Sequence, residues 1–420
     1  MLAQNYFSKS AFWFALLFSS LYILFFPVPY YLFPDVGNWF TPLLNPFVAW
    51  LGKLAGINEP FTRELWSDST GHYLFTCFLL IVTAIIALIF PGFLKKEINP
   101  KLKFWFHTFL SYYLALTLFK YGADKIFKHQ FYLPEPNTLF TPVGQLTPDM
   151  LFWSTMGSSY SYTVFSGMIE LIPAIFLVFR KTRLAGIIIA FMVLLNVVML
   201  NFGFDITVKL YSLFLVFITF VLLTPYLPAL YHFFILGEKT SVAVAGYKPA
   251  SKNALLAYTL AKTLVIGLIL FESTGFYFAM GNLNDDQSER PALHGAYEVY
   301  LFTDMGQIIP ASMSHPGRFR RIYFHRRDYF IVQTMDDHFI DYKTKINEKD
   351  KTILLYNAGW SAHYNQSSTL TYKINDAGDL VIYGYFFDSY ITLYSKKIDL
   401  QELPLLKEKF HWTIDGFNNP

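Results

Sequence analysis

Seven long apolar runs punctuate the first 280 positions of the chain: Ala11–Phe33, His72–Leu94, Phe104–Phe127, Tyr160–Phe179, Leu184–Gly203, Val208–Tyr231 and Ala254–Met280. About 20 helical residues at 1.5 Å each cross a hydrocarbon core of roughly 30 Å, so the pattern predicts seven membrane-spanning helices. The first run follows Lys9, is rich in aromatics, and leads into PVPYYLFPDV without a small-x-small cleavage site. It reads as an uncleaved anchor. In the long connection after it, LLNPFVAWLGKLAGI carries apolar residues at helical spacing and predicts an amphipathic helix on the outer interface. The connection from Lys128 to Ser159 is rich in Pro and turn residues. It is expected to be either ordered on the outer face or a flexible cover over it.

After Gly281 the pattern changes. GNLNDDQSERP is a polar linker, and beyond it short alternating or β-branched stretches recur at Tyr297–Thr303, Arg320–His325, Tyr329–Thr334, Phe339–Lys343, Thr352–Tyr356, Thr369–Ile374, Leu380–Phe386 and Tyr390–Ser395. Turn signals such as NEKD and NDAGD separate them. The fold class expected is a polytopic α-helical membrane protein of about seven transmembrane helices with a C-terminal all-β extracytoplasmic domain. That domain would be a small antiparallel barrel or sandwich, and a filled core and an enclosed apolar lumen fit the alternation equally. The domains are 1–103 (two helices and an interfacial loop), 104–236 (a four-helix core), 237–280 (a cytoplasmic loop and the last span), 281–294 (linker) and 295–420 (β domain).

Composition agrees with a bilayer protein: 54% of residues are hydrophobic, 20% aromatic and 15% charged, against roughly 25% charged in soluble domains. A net charge of +3 gives no reason to expect nucleic acid, and the lone Cys77 excludes an intramolecular disulfide or a cysteine zinc site. Lys and Arg alternate between loops. Lys9, Lys95, Lys96, Lys101, Lys103, Arg180, Lys181, Arg183, Lys239, Lys248 and Lys252 fall on one side, and Lys53, Arg63 and Lys128 on the other. The N-terminus is therefore expected in the cytoplasm and everything after Met280 outside, in a bacterial cytoplasmic membrane.

Charges inside the spans cost about 2.5–3.5 kcal/mol each on insertion scales and ask for a reason. Placed by depth, Lys120, Asp124, Lys125, Glu170, Asn196, Asn201, Asp205, Lys209 and Glu272 all fall in the outer half of the bilayer. Headgroup exposure would account for Lys125, Asp205 and Lys209, and snorkelling for Lys120 and Lys262. Glu170, at midplane beside Pro173, resists both explanations. Mutual pairing would relieve the desolvation cost, and Lys120 and Asp124 at i, i+4 share a face. The arrangement points to a polar intramembrane cavity open to the outer side, able to bind a quinone headgroup, relay protons or simply lock helices. No GxGxxG, P-loop, Cys cluster or zinc-spaced His set occurs. Histidines 294, 315, 325, 338, 363 and 411 are scattered, and RFRRIYFHRR (Arg318–Arg327) reads as a solvated strand pair.

Two short motifs carry a resemblance. GADK (Gly122–Lys125) resembles the G-x-x-K that closes the first helix of DoxX-type membrane proteins. GMIELIPAIFLVFRKTRLAGIIIAFM (Gly167–Met192) resembles their G-x-x-E helix, basic turn and following helix. The match covers Phe104–Leu236, and the architecture is more distantly similar to HTTM, vitamin K-dependent carboxylase-like proteins. The resemblance implies association with membrane oxidoreductase complexes or quinone-linked redox chemistry, and carries over to Gly122, Lys125, Gly167 and Glu170. This chain departs from a minimal member by two helices before the unit, one after it, and the β domain. The favoured expectation is a lipophilic, quinone-type ligand near Lys120, Asp124, Lys125 and Glu170. Its rival is a non-catalytic subunit or assembly factor docking an envelope partner through the β domain. Whether the protein is an enzyme stays open. A proton-coupled carrier lacks the inverted repeat that class displays.

Overall fold

The computed structural model of the chain describes residues 2–26, 36–57, 61, 63, 65, 67–93, 97–241, 251–282, 284–357, 367–407 and 411–413. The distal end of the first expected span (27–33), Lys95, Lys96, Lys248 and His363 lie outside the described residues. Helices run in the order α1 (Leu2–Phe25), α2 (Val36–Leu54), α3 (Thr70–Phe93), α4 (Pro100–Ile126), α5 (Pro136–Leu139) and α6 (Pro148–Ser158). They continue with α7 (Tyr160–Val178), α8 (Arg183–Gly203), α9 (Lys209–Leu223), α10 (Leu227–Phe234) and α11 (Lys252–Met280). The strands follow: β1 (Gly295–Asp304), β2 (Gln307–Ile308), β3 (Phe319–Phe324), β4 (Tyr329–Thr334), β5 (Phe339–Asn347), β6 (Thr352–Asn357), β7 (Ser367–Ile374), β8 (Leu380–Phe386) and β9 (Ser389–Lys397). The backbone forms two compact units, Met1–Gln130 with Ser161–Gly281, and Phe131–Tyr160 with Asn282–Pro420.

Among the described residues of the helical unit, six helices are long and apolar enough to cross a membrane: Ser8–Phe25, Thr70–Phe93, Tyr160–Val178, Arg183–Gly203, Lys209–Phe234 and Lys252–Ala279. The chain is a multi-pass membrane protein. The third expected span, α4, has 27 residues and ample length, but its Lys101, Lys103, Lys120, Asp124 and Lys125 leave it more polar than those six. It starts at Asn99, whose side chain accepts the Lys101 N–H at 2.9 Å, with Pro100 in the first turn. The expected interfacial helix is α2, which contains Pro42 and Pro46 and exposes Trp39, Leu43, Trp50 and Leu54.

In this unit α1 packs on α2 and α3, α8 on α9, and α4 against both α9 and α11. Its core includes Tyr22, Leu110, Leu114, Leu118, Leu177 and Ile218, with Ala115, Ala174 and Ala190 keeping helix surfaces close.

In the second unit, strand order is β2-β1-β3-β4-β5-β6-β7-β8-β9 with β9 returning to pair with β1, every pairing antiparallel. The eight longer strands close an antiparallel barrel, and β2 is a two-residue ribbon added to β1. Closure removes the open edges that a sandwich would have had to protect. Inward positions such as Val299, Ile322, Phe330, Ile353, Leu355, Leu370, Ile382 and Leu393 form one buried apolar core. The alternation thus fills the barrel's interior with side chains. Between β7 and β8, Asn375 Oδ1 accepts the N–H groups of Ala377 and Asp379, and Gly378 takes the positive φ of +83° that the turn needs.

The Pro-rich connection belongs to this unit. Its residues 131–160 form α5 and α6, and Phe140 packs on the barrel's outer face with Tyr323, Ile331, Phe339, Ile398 and Leu400. The four-helix grouping 104–236 expected above thus contains a segment that clusters with the barrel.

Candidate functional site

In the helical unit the two G-x-x-charge motifs meet. A Cβ added to Gly167 would stand 2.6 Å from the Gly122 carbonyl oxygen and 3.0 Å from the Lys125 Cβ. One added to Gly122 would stand 2.9 Å from the Gly167 carbonyl oxygen. The bare backbones of α4 and α7 therefore touch, as small residues permit in an apolar medium. Three residues further along each helix, Lys125 and Glu170 lie one turn on from the crossing. Their Nζ and Oε2 meet at 2.6 Å, with both residues buried. The Tyr121 ring lies 5.9 Å from the same ammonium.

The other polar residues distribute as follows. Asp124 Oδ1 accepts the hydroxyl of Tyr277 on α11, and Glu272 of that helix is buried. Lys120 is half-buried and forms no hydrogen bond or ion pair among the described residues. Its i, i+4 neighbour Asp124 is engaged by Tyr277 instead, so the local pair expected from the spacing is not made. At the turn joining α8 to α9, Lys209 pairs with Asp205 at 2.7 Å, and the buried Asn201 donates its amide to the Val208 carbonyl at 3.5 Å. Asn196 is exposed on α8 and joins neither group.

The sequence reading passed over Asp68. Its carboxylate accepts the first two amides of α9, Lys209 N–H at 2.7 Å and Leu210 N–H at 3.0 Å, and lies 3.8 Å from the Lys209 ammonium. It caps a helix 141 positions away, a pairing without local signal. Lys128, counted above among the outer loop charges, is fully buried.

In the β unit a second constellation surrounds Glu135, immediately before α5. This carboxylate is buried and paired with the buried Arg326, whose Nε faces Oε1 and whose own N–H reaches Oε2 at 3.3 Å. His294 Nε2 and His325 Nε2 approach Oε2 at 3.3 and 3.7 Å. Arg326 also donates to the carbonyls of Asn284 at 2.8 Å and Leu133 at 2.9 Å, and lies over the Tyr132 ring. Burial pushes the Glu135 carboxyl upward, but the His294 hydrogen bond and the charges of His325 and Arg326 outweigh it and hold the carboxyl below its ordinary value. Burial pushes His325 down to about 4, so it is a neutral imidazole at neutral pH.

The reading of RFRRIYFHRR as a solvated strand pair is corrected here. Arg326 is 3% exposed and Arg318 4%. Arg318 is spent on the carbonyls of Ile309, Phe319 and Val299. Arg326 spends its two terminal nitrogens on the Asn284 and Leu133 carbonyls, while its Nε faces the Glu135 carboxylate as an ion pair without a hydrogen bond. Among the described residues no group of three or more His, Cys, Asp or Glu is placed to hold a metal ion.

Fold and site together define a multi-pass membrane protein that carries a closed, filled, eight-stranded β-barrel at its C-terminal end. No family model matches the chain. It is similar to an uncharacterized protein of Bacillus subtilis (strain 168), YwoB, at 28% identity over 141 residues, which are 31% of this chain and 81% of YwoB. No solved structure matches.

Proposed function

We propose that this is a non-catalytic envelope protein of the bacterial cytoplasmic membrane, its N-terminus cytoplasmic and its β unit displayed outside to recognise a partner. The helical unit spans seven times, with α4 crossing between α3 and α7, and its internal charges serve to hold helices together. The observation that carries this reading is the mutual engagement of Lys125 and Glu170 at 2.6 Å beside a glycine crossing. Groups spent on each other in a low-dielectric interior lock helices and are not offered to a ligand. The barrel's interior is occupied by its apolar core, and its rim exposes Met305, Ile308 and Tyr385 as apolar contact surface. The charge-reversed double variant Lys125→Glu/Glu170→Lys tests the lock. Each single reversal should abolish folding in detergent and the double should restore it; a double variant as damaged as the singles overturns the reading.

Lys120 favours a second reading, a quinone-type ligand bound near Lys120, Asp124, Lys125 and Glu170, because its ammonium has no ion-pair partner among the described residues. Binding of a soluble short-chain ubiquinone analogue to the purified protein, lost in Lys120→Met with the fold intact, would support it. Equal binding by wild type and variant would exclude it.

A further inference from the structure

Against Glu135 the β unit has a surface cleft of about 290 Å³. Tyr132, Asn137, Thr138, Asp149, Trp153 and Ser154 line it, drawn from the segment around α5 and from α6. Its volume is at the small end of ligand-binding clefts, which begin near roughly 300 Å³. Asn137 Oδ1 is buried and has no hydrogen-bond partner. Buried acceptors are nearly always satisfied, so an unsatisfied one beside a cleft marks a place where a ligand donor fits.

The lining chemistry narrows the ligand. Acceptors (Asn137 Oδ1 and the Asp149 carboxylate) stand among donors (the Asn137 amide nitrogen and the hydroxyls of Tyr132, Thr138 and Ser154) beside the indole of Trp153. An ammonium ligand only donates and would leave the Asn137 amide nitrogen, the one of those donors that cannot accept, unmatched. An anion would face Asp149 and Glu135, while His325 at the cleft's edge is neutral and adds no attraction. A hydroxyl both donates and accepts, and a pyranose ring presents an apolar C–H face to an aromatic side chain. The cleft's floor is also held rigidly. Arg326 grips Glu135 and the Leu133 carbonyl, and Asp286 accepts the Leu133 N–H at 2.8 Å.

We infer that this cleft is a binding site for a sugar-sized polyhydroxylated ligand, stacked on Trp153 and hydrogen-bonded by Asn137 and Asp149. It goes beyond the proposed function, which concerns the helical lock and a protein partner, and either can fail without the other.

The test is saturation-transfer NMR on the full-length protein in nanodiscs, with D-glucose, D-galactose, D-mannose and N-acetyl-D-glucosamine as probes and choline as the cationic control. At least one sugar should show saturation transfer. Its affinity should fall roughly three- to tenfold in Asn137→Ala, which removes one or two hydrogen bonds, and further in Trp153→Ala. Asn137 is half-buried at the cleft, so its variant carries the test if the Trp153 variant fails to fold. Transfer to none of the four sugars, transfer to choline alone, or sugar binding unchanged in Asn137→Ala would each overturn the assignment.

Discussion

Lys125 and Glu170 meet at 2.6 Å because Gly122 and Gly167, one turn back on each helix, present no side chain where α4 and α7 cross. The ion pair and the glycine contact are one device: the crossing sets the distance over which the charges act, and the charges hold the crossing shut. Gly167→Ala should therefore act on both. Its Cβ would stand within 3.0 Å of the Gly122 carbonyl, Ile126 and Lys125. The helices must part, at an expected cost of about 1–3 kcal/mol. Gly267→Ala, with nothing within 4 Å of the added carbon, is the control and should leave thermal unfolding in detergent unchanged or slightly raised.

Removing one charge leaves the other buried alone. Lys125→Met and Glu170→Gln should each cost about 3–5 kcal/mol, and the double variant less than either single. A double-mutant cycle on unfolding free energies would show a coupling well above ~1 kcal/mol; additivity would mean that the pair contributes nothing.

Asp68 acts as a cap supplied from a distance. Asp68→Ala should lower stability by about 0.5–2 kcal/mol, because the Lys209 and Leu210 amides at the start of α9 lose their acceptor. Asp68→Asn, which retains an acceptor oxygen, should recover most of the loss in the same unfolding assay.

The β unit should lose stability in acid, in two stages with one sign. The folded state holds His325 down to about 4 against an ordinary value near 6.5. Between those limits the unfolded chain binds more protons, so stability falls as pH drops from about 6.5 to about 4. Glu135 is held below its ordinary value, and its contribution is lost as pH falls further. Melting followed by tryptophan fluorescence should show this slope, and His325→Gln should flatten it above pH 4.5 while leaving the lower stage in place.

Arg326→Ala should expose the tie between the 131–160 segment and the barrel. It strands the buried Glu135 carboxylate, at about 3–5 kcal/mol, and frees the carbonyls of Asn284 and Leu133. Limited proteolysis should then cut between residues 136 and 160 faster than in wild type. Equal rates would mean that Phe140 and its apolar neighbours hold the segment without the ion pair.

Much of the architecture was legible along the chain because its causes are local. Short alternating or β-branched and aromatic stretches between turn signals marked all eight barrel strands, with Tyr329–Thr334 and Leu380–Phe386 matching their observed bounds. Runs of apolar residues marked the helices for the same reason, since the cost of an unsatisfied backbone in lipid acts on each segment alone. Residue type and depth also singled out Glu170 as a charge needing a reason, whereas Lys125, explained at that level by headgroup exposure, is buried against it.

Which groups answer each other was decided only by the tertiary structure. Asp124 turns to Tyr277 rather than to its helical neighbour Lys120, and Glu135 finds Arg326 at a separation of 191 positions. Burial of Arg318 and Arg326 was hidden for the same reason. A basic strand reads as solvated until another segment folds over it and supplies acceptors. Closure of the sheet through β1 and β9, and the filling of its interior, likewise depend on strand ends and side chains brought together from far apart. Periodicity and hydropathy are properties of one segment in its solvent, and the sequence alone determined those. Pairing is a property of two segments, fixed by the desolvation cost that each buried charge must offset with whatever partner the fold brings within reach.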